Sequence, residues 1–135
     1  YQKQRILSFI YPQQDYSGAK DFNRALLSRF AVVKTDYPDP KVEETILISR
    51  TGIDKSTAQK MVSFAIAIRL NKAKDKSSFV LSTRELLLWA TFYKVFKKFL
   101  PAAEIAILNK ISSDDYESIK DLLTLQFKAL DEKQI

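Results

Sequence analysis

The chain has 135 residues, of which 46% are hydrophobic and 28% charged, a composition typical of a globular domain. It contains no cysteine and no histidine, which excludes disulfides, thiolate metal sites, imidazole bases and every catalytic triad that needs an imidazole. The net charge of +6 is compatible with a phosphate-bearing partner and equally with simple solubility. No apolar run reaches the length of a membrane span and no signal peptide opens the chain, so we expect no membrane association.

The first third of the sequence has the pattern of two strands and one helix. Residues 5–10 form a short apolar run that predicts a buried strand, and residues 31–35 are β-branched and predict a second. Between them, Asp21 can cap a helix that runs to about Phe30. Two strands cannot form a stable sheet alone. This segment therefore has the pattern of one edge of a larger α/β sheet.

After two prolines the pattern becomes entirely helical. Pro40 suits a first helical position, and Gly52 is suited to end that helix. Asp54 caps a second helix that extends to about Ala73. The overall prediction is a mostly α chain, with a short α/β remnant at residues 1–38 and an all-helical domain at residues 39–135.

The remaining helices have their own start signals. Residues 82–85 form a capping box before an apolar helix whose Trp89, Tyr93 and Phe96 we expect in the core. Pro101 is expected to interrupt that helix, and a short helix follows to about Ile111. The last helix is predicted to start at Ser113, with the following residues on its inner face: Tyr116, Ile119, Leu122, Leu123 and Phe127.

Charged clusters in the helical part have simple explanations. The pairs Glu43-Glu44 and Asp114-Asp115 each lie in the first turn of a helix, where acids complement the helix dipole. Adjacent helical residues do not face each other, so we expect solvated acids and no metal site. The basic cluster in the second helix and its linker is expected to be solvated and not a nucleic-acid track; its members are Arg69, Lys72, Lys74 and Lys76.

Five short motifs, in collinear order, resemble the C-terminal part of AAA+ ATPases of the MoxR branch, most closely the CbbQ/NorQ type. They are YPQQDYSG with FNRALLSRF at residues 11–30, DYPDP at 36–40, RTGID with the following Thr57-Ala58 and Ala67-Ile68-Arg69, LSTRE at 81–85, and SSDD at 112–115. No single motif is decisive, but together they extend over nearly the whole chain. In such proteins the first segment is the edge of the AAA+ core sheet, and the helical remainder is a lid domain.

The resemblance implies a function for the intact protein. Such proteins are cytoplasmic, homo-oligomeric rings, commonly hexamers, that use ATP and Mg²⁺ to remodel a partner protein or metalloenzyme, and a von Willebrand A-domain protein is an implied partner. The phosphate-binding loop and the Mg²⁺-binding acidic motif belong upstream, and the pattern G-x-x-x-x-G-K-[ST] is absent from this sequence. We therefore expect this chain alone to bind no nucleotide and to hydrolyse none, although it is part of an ATP hydrolase.

Two arginines match functional positions of the family. Arg29 matches the arginine finger, which acts on the nucleotide of the neighbouring subunit, and a planar guanidinium suits the charge that develops on a transferring phosphoryl group. Arg84 matches the sensor-2 arginine, which reaches the nucleotide of its own subunit from the lid. The simpler alternatives are a helix-end arginine complementing the dipole for Arg29, and a solvated arginine partly paired with Glu85 for Arg84. Arg24 could share the subunit interface, although a plain surface role is preferred.

One position departs from the family pattern. The residue that ends the first strand and orients the attacking water is usually Asn, and its counterpart in this chain is Tyr11. A tyrosine hydroxyl can donate a hydrogen bond but reaches further from the backbone. Either the water is held differently or this protein hydrolyses ATP poorly.

Two other functional classes remain as alternatives. Residues 45–62 resemble a DNA-binding helix-turn-helix, in which Lys55, Ser56, Gln59 and Lys60 would face the major groove. Ile48 argues against it, because a small residue normally stands at that position to let the helices cross. The third class is a structural lid or adaptor with no nucleotide contact.

Overall fold

The computed structural model describes residues 28–29, 31, 36–74 and 79–134, with only the backbone of residues 73 and 74. The chain divides into two compact units, residues 1–36 and residues 37–135. The described residues contain no β-strand. The predicted strand at residues 5–10 and all but the first residue of the strand at residues 31–35 lie outside them, so the α/β remnant stays a prediction.

The second unit is helical, as predicted. Its five described α-helices are α1 (Pro40–Thr51), α2 (Lys55–Lys74), α3 (Thr83–Phe96), α4 (Phe99–Ala106) and α5 (Ser113–Glu132), with a short 3₁₀ helix (Leu108–Lys110) between the last two. Helix α3 packs on α4, α1 lies against both α2 and α3, and α5 packs against α4. No helix in the described part of the chain is long and apolar enough to cross a membrane.

The ends of α1 follow the sequence signals. The carboxylate of Asp39 accepts a hydrogen bond from the backbone N–H of Lys41 at 3.0 Å, and Pro40 occupies the first helical position, where its missing N–H costs nothing. At the other end Gly52 adopts φ 72°, the left-handed conformation that glycine tolerates best. The predicted limits of this helix are confirmed.

Capping side chains also fix the starts of α2 and α3. Asp54 accepts hydrogen bonds from the backbone N–H and the hydroxyl of Thr57, and the hydroxyl bond in particular lowers the pKa of the Asp54 carboxyl. At α3 the hydroxyl of Ser82 caps the helix while the carboxylate of Glu85 accepts the N–H of Ser82 at 3.0 Å. The predicted capping box is therefore present.

The break between α3 and α4 differs from the prediction. Helix α3 ends at Phe96, and Lys97 turns the chain in the left-handed conformation at φ 58°. Pro101 does not interrupt a helix, because it lies in the first turn of α4, where its missing N–H is tolerated. The predicted start of the last helix at Ser113 is confirmed.

Aromatic side chains form the centre of the core. Trp89 is fully buried and contacts Phe64 and Phe127 edge-on, with ring centroids 5.7 Å and 5.2 Å away. Its indole N–H donates to the carbonyl of Phe99 at 3.0 Å, so the buried donor is satisfied. Phe99 and Phe127 stack at 4.6 Å and complete the cluster.

Two predicted core residues are exposed instead. Phe96 is 41% exposed because α3 ends at that residue, and its ring stacks on that of the half-buried Phe92. Leu122 is 37% exposed, while Ile119, Leu123 and Phe127 of the same helix are buried as expected. Trp89 is confirmed in the core, and Tyr93 is half-buried and packs against it.

Candidate functional site

Arg84 lies in the first turn of α3, directly after Thr83, and it is exposed. Its backbone N–H donates to the hydroxyl of Ser82 at 3.2 Å. Within the part of the chain that the structure describes, its guanidinium has no hydrogen bond and no ion pair. A cation in the first turn opposes the helix dipole by about 0.3–1 kcal/mol. A bound anion would reverse the sign of that interaction, because helix N-termini themselves attract anions.

The simpler alternative for Arg84 was partial pairing with Glu85. The structure gives Glu85 a different role, since its carboxylate accepts from both the N–H and the hydroxyl of Ser82. Glu85 forms no ion pair with any described residue. Arg84 is therefore left as a cation facing solvent at the positive end of a helix.

Glu43 is not the solvated acid that the sequence predicted. Its side chain is 1% exposed and accepts two parallel hydrogen bonds from Arg69, at 2.9 Å and 2.8 Å. It also accepts the hydroxyl of Thr83 at 2.7 Å. The prediction considered only the neighbour Glu44 and the helix dipole, whereas the deciding partner lies 26 residues away on α2. A buried carboxylate persists only where such partners replace water.

Arg69 likewise does not belong to a solvated basic cluster. Its side chain is 11% exposed, its Nε donates to the carbonyl of Leu81 at 2.8 Å, and its guanidinium lies 3.9 Å over the ring of Tyr37. Lys72 is half-buried, and this burial lowers its pKa although Asp115 nearby acts to raise it. Arg69 and Lys72 are therefore not part of a fully exposed basic stripe, and the side chains of Lys74 and Lys76 lie outside the described residues.

A spacing signal could have revealed this pair. Glu43 and the buried Leu47 are four residues apart on α1, and Arg69 follows the buried Ala65 by four on α2. Both charges therefore lie on the apolar stripes of their helices. A charge on a core-facing stripe almost always has a buried partner, and the opposite signs identify the two residues as partners.

The other predicted site residues belong to the first unit. Arg29 is exposed and lies with Ser28 in a turn. Of the helix predicted to run to about Phe30, the described residues are 28 and 29, and both lie in that turn; the rest of the predicted helix, Arg24 and Tyr11 lie outside the described residues. The proposed finger, the possible interface arginine and the atypical sensor-1 position therefore stay predictions.

The match to a protein-family model decides the affiliation of the chain. The model of the CbbQ/NirQ/NorQ C-terminal domain matches residues 43–126, more than half of the sequence, a range that contains Glu43, Arg69, Thr83 and Arg84. The chain belongs to this family. It is accordingly the C-terminal part of a CbbQ-like AAA+ ATPase, and the resemblance drawn from the five motifs is confirmed.

Two curated proteins are similar to this CbbQ-family chain. Protein CbbQ of Hydrogenophilus thermoluteolus is 34% identical over 98 residues, which cover 73% of this chain and 36% of CbbQ. The gas vesicle ATPase GvpN of Ancylobacter aquaticus is 31% identical over 61 residues, 45% of this chain and 17% of GvpN. The matched stretch thus covers well under half of each relative.

The family gives no support to the helix-turn-helix alternative. Helices α1 and α2 do meet at Gly52, and Lys55, Ser56 and Gln59 are exposed on α2. However, the position at which a DNA-binding motif normally has a small residue is occupied by Ile48, which packs against the core. Lys60 donates to Ser56 within its own helix at 3.0 Å.

The described residues contain no group of three or more acidic side chains that could hold a metal ion. Asp114 is exposed and Asp115 is half-buried in the first turn of α5. Both therefore lie where acids complement the helix dipole. An exposed guanidinium in the first turn of a helix, such as that of Arg84, is a group that can bind an anion.

Proposed function

We propose that this chain is the lid-bearing part of an ATP-hydrolysing ring subunit, and that Arg84 contacts the nucleotide phosphates of its own subunit. The observation that carries the proposal is an exposed guanidinium, unpaired among the described residues, in the first turn of α3. Phosphate oxygens fit this position, because they would interact favourably with both the guanidinium and the helix N-terminus. The family match covers this position.

The other nucleotide-binding residues would lie in the upstream part of the subunit. The phosphate-loop pattern is absent from the sequence, so residues that cradle the phosphates and hold Mg²⁺ have to come from the upstream part implied by the family. When bound, Mg²⁺ would neutralise charge on the phosphates. In this proposal Arg84 supplies a ground-state contact from the lid, and Arg29 supplies a transition-state contact to the neighbouring subunit in the ring.

Ring formation and partner remodelling complete the proposal. The relatives named CbbQ and gas vesicle ATPase GvpN support an ATP-driven role for the intact protein. We propose that the intact protein forms a hexameric, cytoplasmic ring that acts on a partner protein. A von Willebrand A-domain protein would serve as adaptor. A lid that contacts nucleotide at one end can transmit the nucleotide state to a client at the other.

Nucleotide binding by the intact subunit tests the role of Arg84. Arg84→Ala is expected to weaken ATP binding about tenfold or more, because a hydrogen bond between charged groups is lost. Arg84→Lys should retain part of the affinity through its charge. Arg50→Ala, which removes an exposed arginine at the end of α1, is the matched control and should leave the dissociation constant unchanged. Equal affinities for Arg84→Ala and Arg50→Ala would refute the proposal.

A further inference from the structure

The buried pair Glu43–Arg69 holds the chain on both sides of the cap of α3. Arg69 binds the carbonyl of Leu81, the residue before the cap, and Glu43 binds the hydroxyl of Thr83, the residue after it. Ser82 between them is fixed by its capping box. Hydrogen bonds therefore hold three consecutive residues at the start of α3. Leu81 is bound to Arg69 of α2, Thr83 is bound to Glu43 of α1, and Ser82 is bound within the capping box.

Stability alone does not explain this arrangement. Removing two charges from water is costly, and well-packed apolar residues often stabilise a core as much as a buried ion pair does. What the pair adds is direction, since a bidentate arginine–carboxylate contact has a fixed geometry that apolar packing lacks. The ring of Tyr37 lies over the guanidinium and shields it from solvent. Every buried side-chain polar atom in the described residues has a partner.

We propose that Glu43 and Arg69 are positioning residues for nucleotide binding: through Thr83 and Leu81 they hold the first turn of α3 where the guanidinium of Arg84 meets phosphate. This inference rests on the proposed function of Arg84. The side chain of Arg84 has no hydrogen bond to any described residue, so the location of its charge depends on the backbone at the start of α3.

Thr83→Val separates positioning from folding, because valine keeps the shape and removes only the hydroxyl that reaches Glu43. In the intact subunit we expect Thr83→Val to weaken ATP binding measurably, by up to roughly fivefold, because the free energy of the one internal hydrogen bond that it removes limits the effect. In steady-state hydrolysis the variant should raise the KM for ATP and change kcat less. Thr83→Ser restores the hydroxyl and should restore the affinity. Thr91→Val is the matched control, since Thr91 is exposed on the same helix and its hydroxyl donates to the carbonyl of Leu87 within that helix.

A double-mutant cycle with Arg84→Ala identifies the route of the effect. If Glu43 acts through Arg84, Thr83→Val should change the affinity of the parent protein and leave that of Arg84→Ala unchanged. Equal losses in both backgrounds, or no loss in the parent while Arg84→Ala binds weakly, would overturn the positioning role and leave the proposed function intact. A neutral Arg84→Ala would overturn the proposed function and this inference with it.

Arg69→Lys provides an independent variant. Lysine keeps the charge but cannot bind both carboxylate oxygens of Glu43 and the carbonyl of Leu81 in one plane. We expect a loss of ATP affinity at least as large as that of Thr83→Val, measured at a temperature where circular dichroism shows both variants fully folded. Wild-type affinity in a folded Arg69→Lys protein would overturn the proposal.

Discussion

The carboxylate of Asp131, near the end of α5, accepts a hydrogen bond from the backbone N–H of Phe99, the first residue of α4, at 2.6 Å. Its other oxygen accepts the N–H of Leu100 at 2.8 Å. Lys98 precedes α4 without a capping side chain, and Pro101 has no N–H to satisfy. A residue from a distant helix therefore replaces the local cap, and it does so in the interior, where Asp131 is 6% exposed.

Removing this cap should destabilise the helical unit. Asp131→Ala leaves one buried and one partly buried N–H donor without this partner, so we expect a loss of about 3 kcal/mol in the free energy of unfolding. Urea denaturation of the 135-residue chain measures it. The control is Asp121→Ala, which removes an exposed acid from the same helix and should change stability by less than about 0.5 kcal/mol. Similar losses in the two variants would show that the hydrogen bonds to α4 contribute little.

Two residues have a left-handed backbone conformation, and substituting them should change the stability of the fold in opposite directions. Gly52 has φ 72° and Lys97 has φ 58°. Gly52→Ala should destabilise by about 1 kcal/mol, because a side chain disfavours this conformation. Lys97→Gly should stabilise by up to about 1 kcal/mol for the same reason, less the entropy that glycine adds to the unfolded chain.

Thermal unfolding of the two variants provides the measurement. Among the described residues, a methyl group added at Gly52 would approach the flexible end of Lys94, at 3.3 Å, so crowding should contribute little. Gly52→Ala in a Lys94→Ala background should then cost as much as in the parent. A cost that disappears in that background would assign the effect to crowding and not to the backbone.

Asp54 should make stability depend on pH in the acid range. The hydrogen bond from Thr57 lowers the pKa of its carboxyl below the ordinary value of 3.8. A group whose pKa is depressed by folding stabilises the folded state above its unfolded pKa, and that contribution is lost as the pH falls through the folded pKa. The stability advantage over Asp54→Asn should therefore be full at neutral pH and should shrink below about pH 4.

The Thr57→Val variant provides the check on this cause. It removes the hydroxyl donor, so the pKa of Asp54, followed by NMR, should rise toward 3.8. An unchanged pKa in Thr57→Val would show that the hydroxyl is not the source of the shift.

The sequence was sufficient to predict helix ends that are set by residues close to them in the chain. Pro40, Gly52, Asp54 and the capping box at residues 82–85 each act within four residues of the chain, and the limits of α1 and the starts of α2 and α3 follow them as predicted. Sequence reasoning also selected Trp89 for the core. It failed at Phe96, because helical spacing does not show that Lys97 turns the chain one residue later.

The candidate site was only partly predictable for a related reason. Arg84 could be found from its motif and its place in the capping box. Glu43 could not be explained by its neighbours, because its partners Arg69 and Thr83 lie 26 and 40 residues away. The helix-dipole argument predicted a solvated acid at both positions. It holds for Asp114, which is exposed, but not for Glu43, which is buried against residues of other helices.

The proposed finger role of Arg29 predicts a specific kinetic signature in the intact ring. Arg29→Ala should leave ATP affinity almost unchanged and lower kcat by about 10³–10⁵, because the contact matters mainly in the transition state. Arg84→Ala should differ by weakening binding itself. Arg50→Ala, another exposed arginine, should affect neither parameter.

Subunit mixing then decides whether Arg29 acts across the interface. A subunit with Arg29→Ala retains its own phosphate loop, so it should hydrolyse ATP when its neighbour is a phosphate-loop variant that still supplies Arg29. Each variant alone should be inactive, and steady-state hydrolysis should reappear on mixing, with a maximum at intermediate ratios. Reappearance requires that one subunit's arginine complete the other's site. If mixed rings assemble, as judged by size-exclusion chromatography, but no activity returns at any ratio, Arg29 is not a finger acting in trans. Its exposed charge would then serve only the surface of its own subunit.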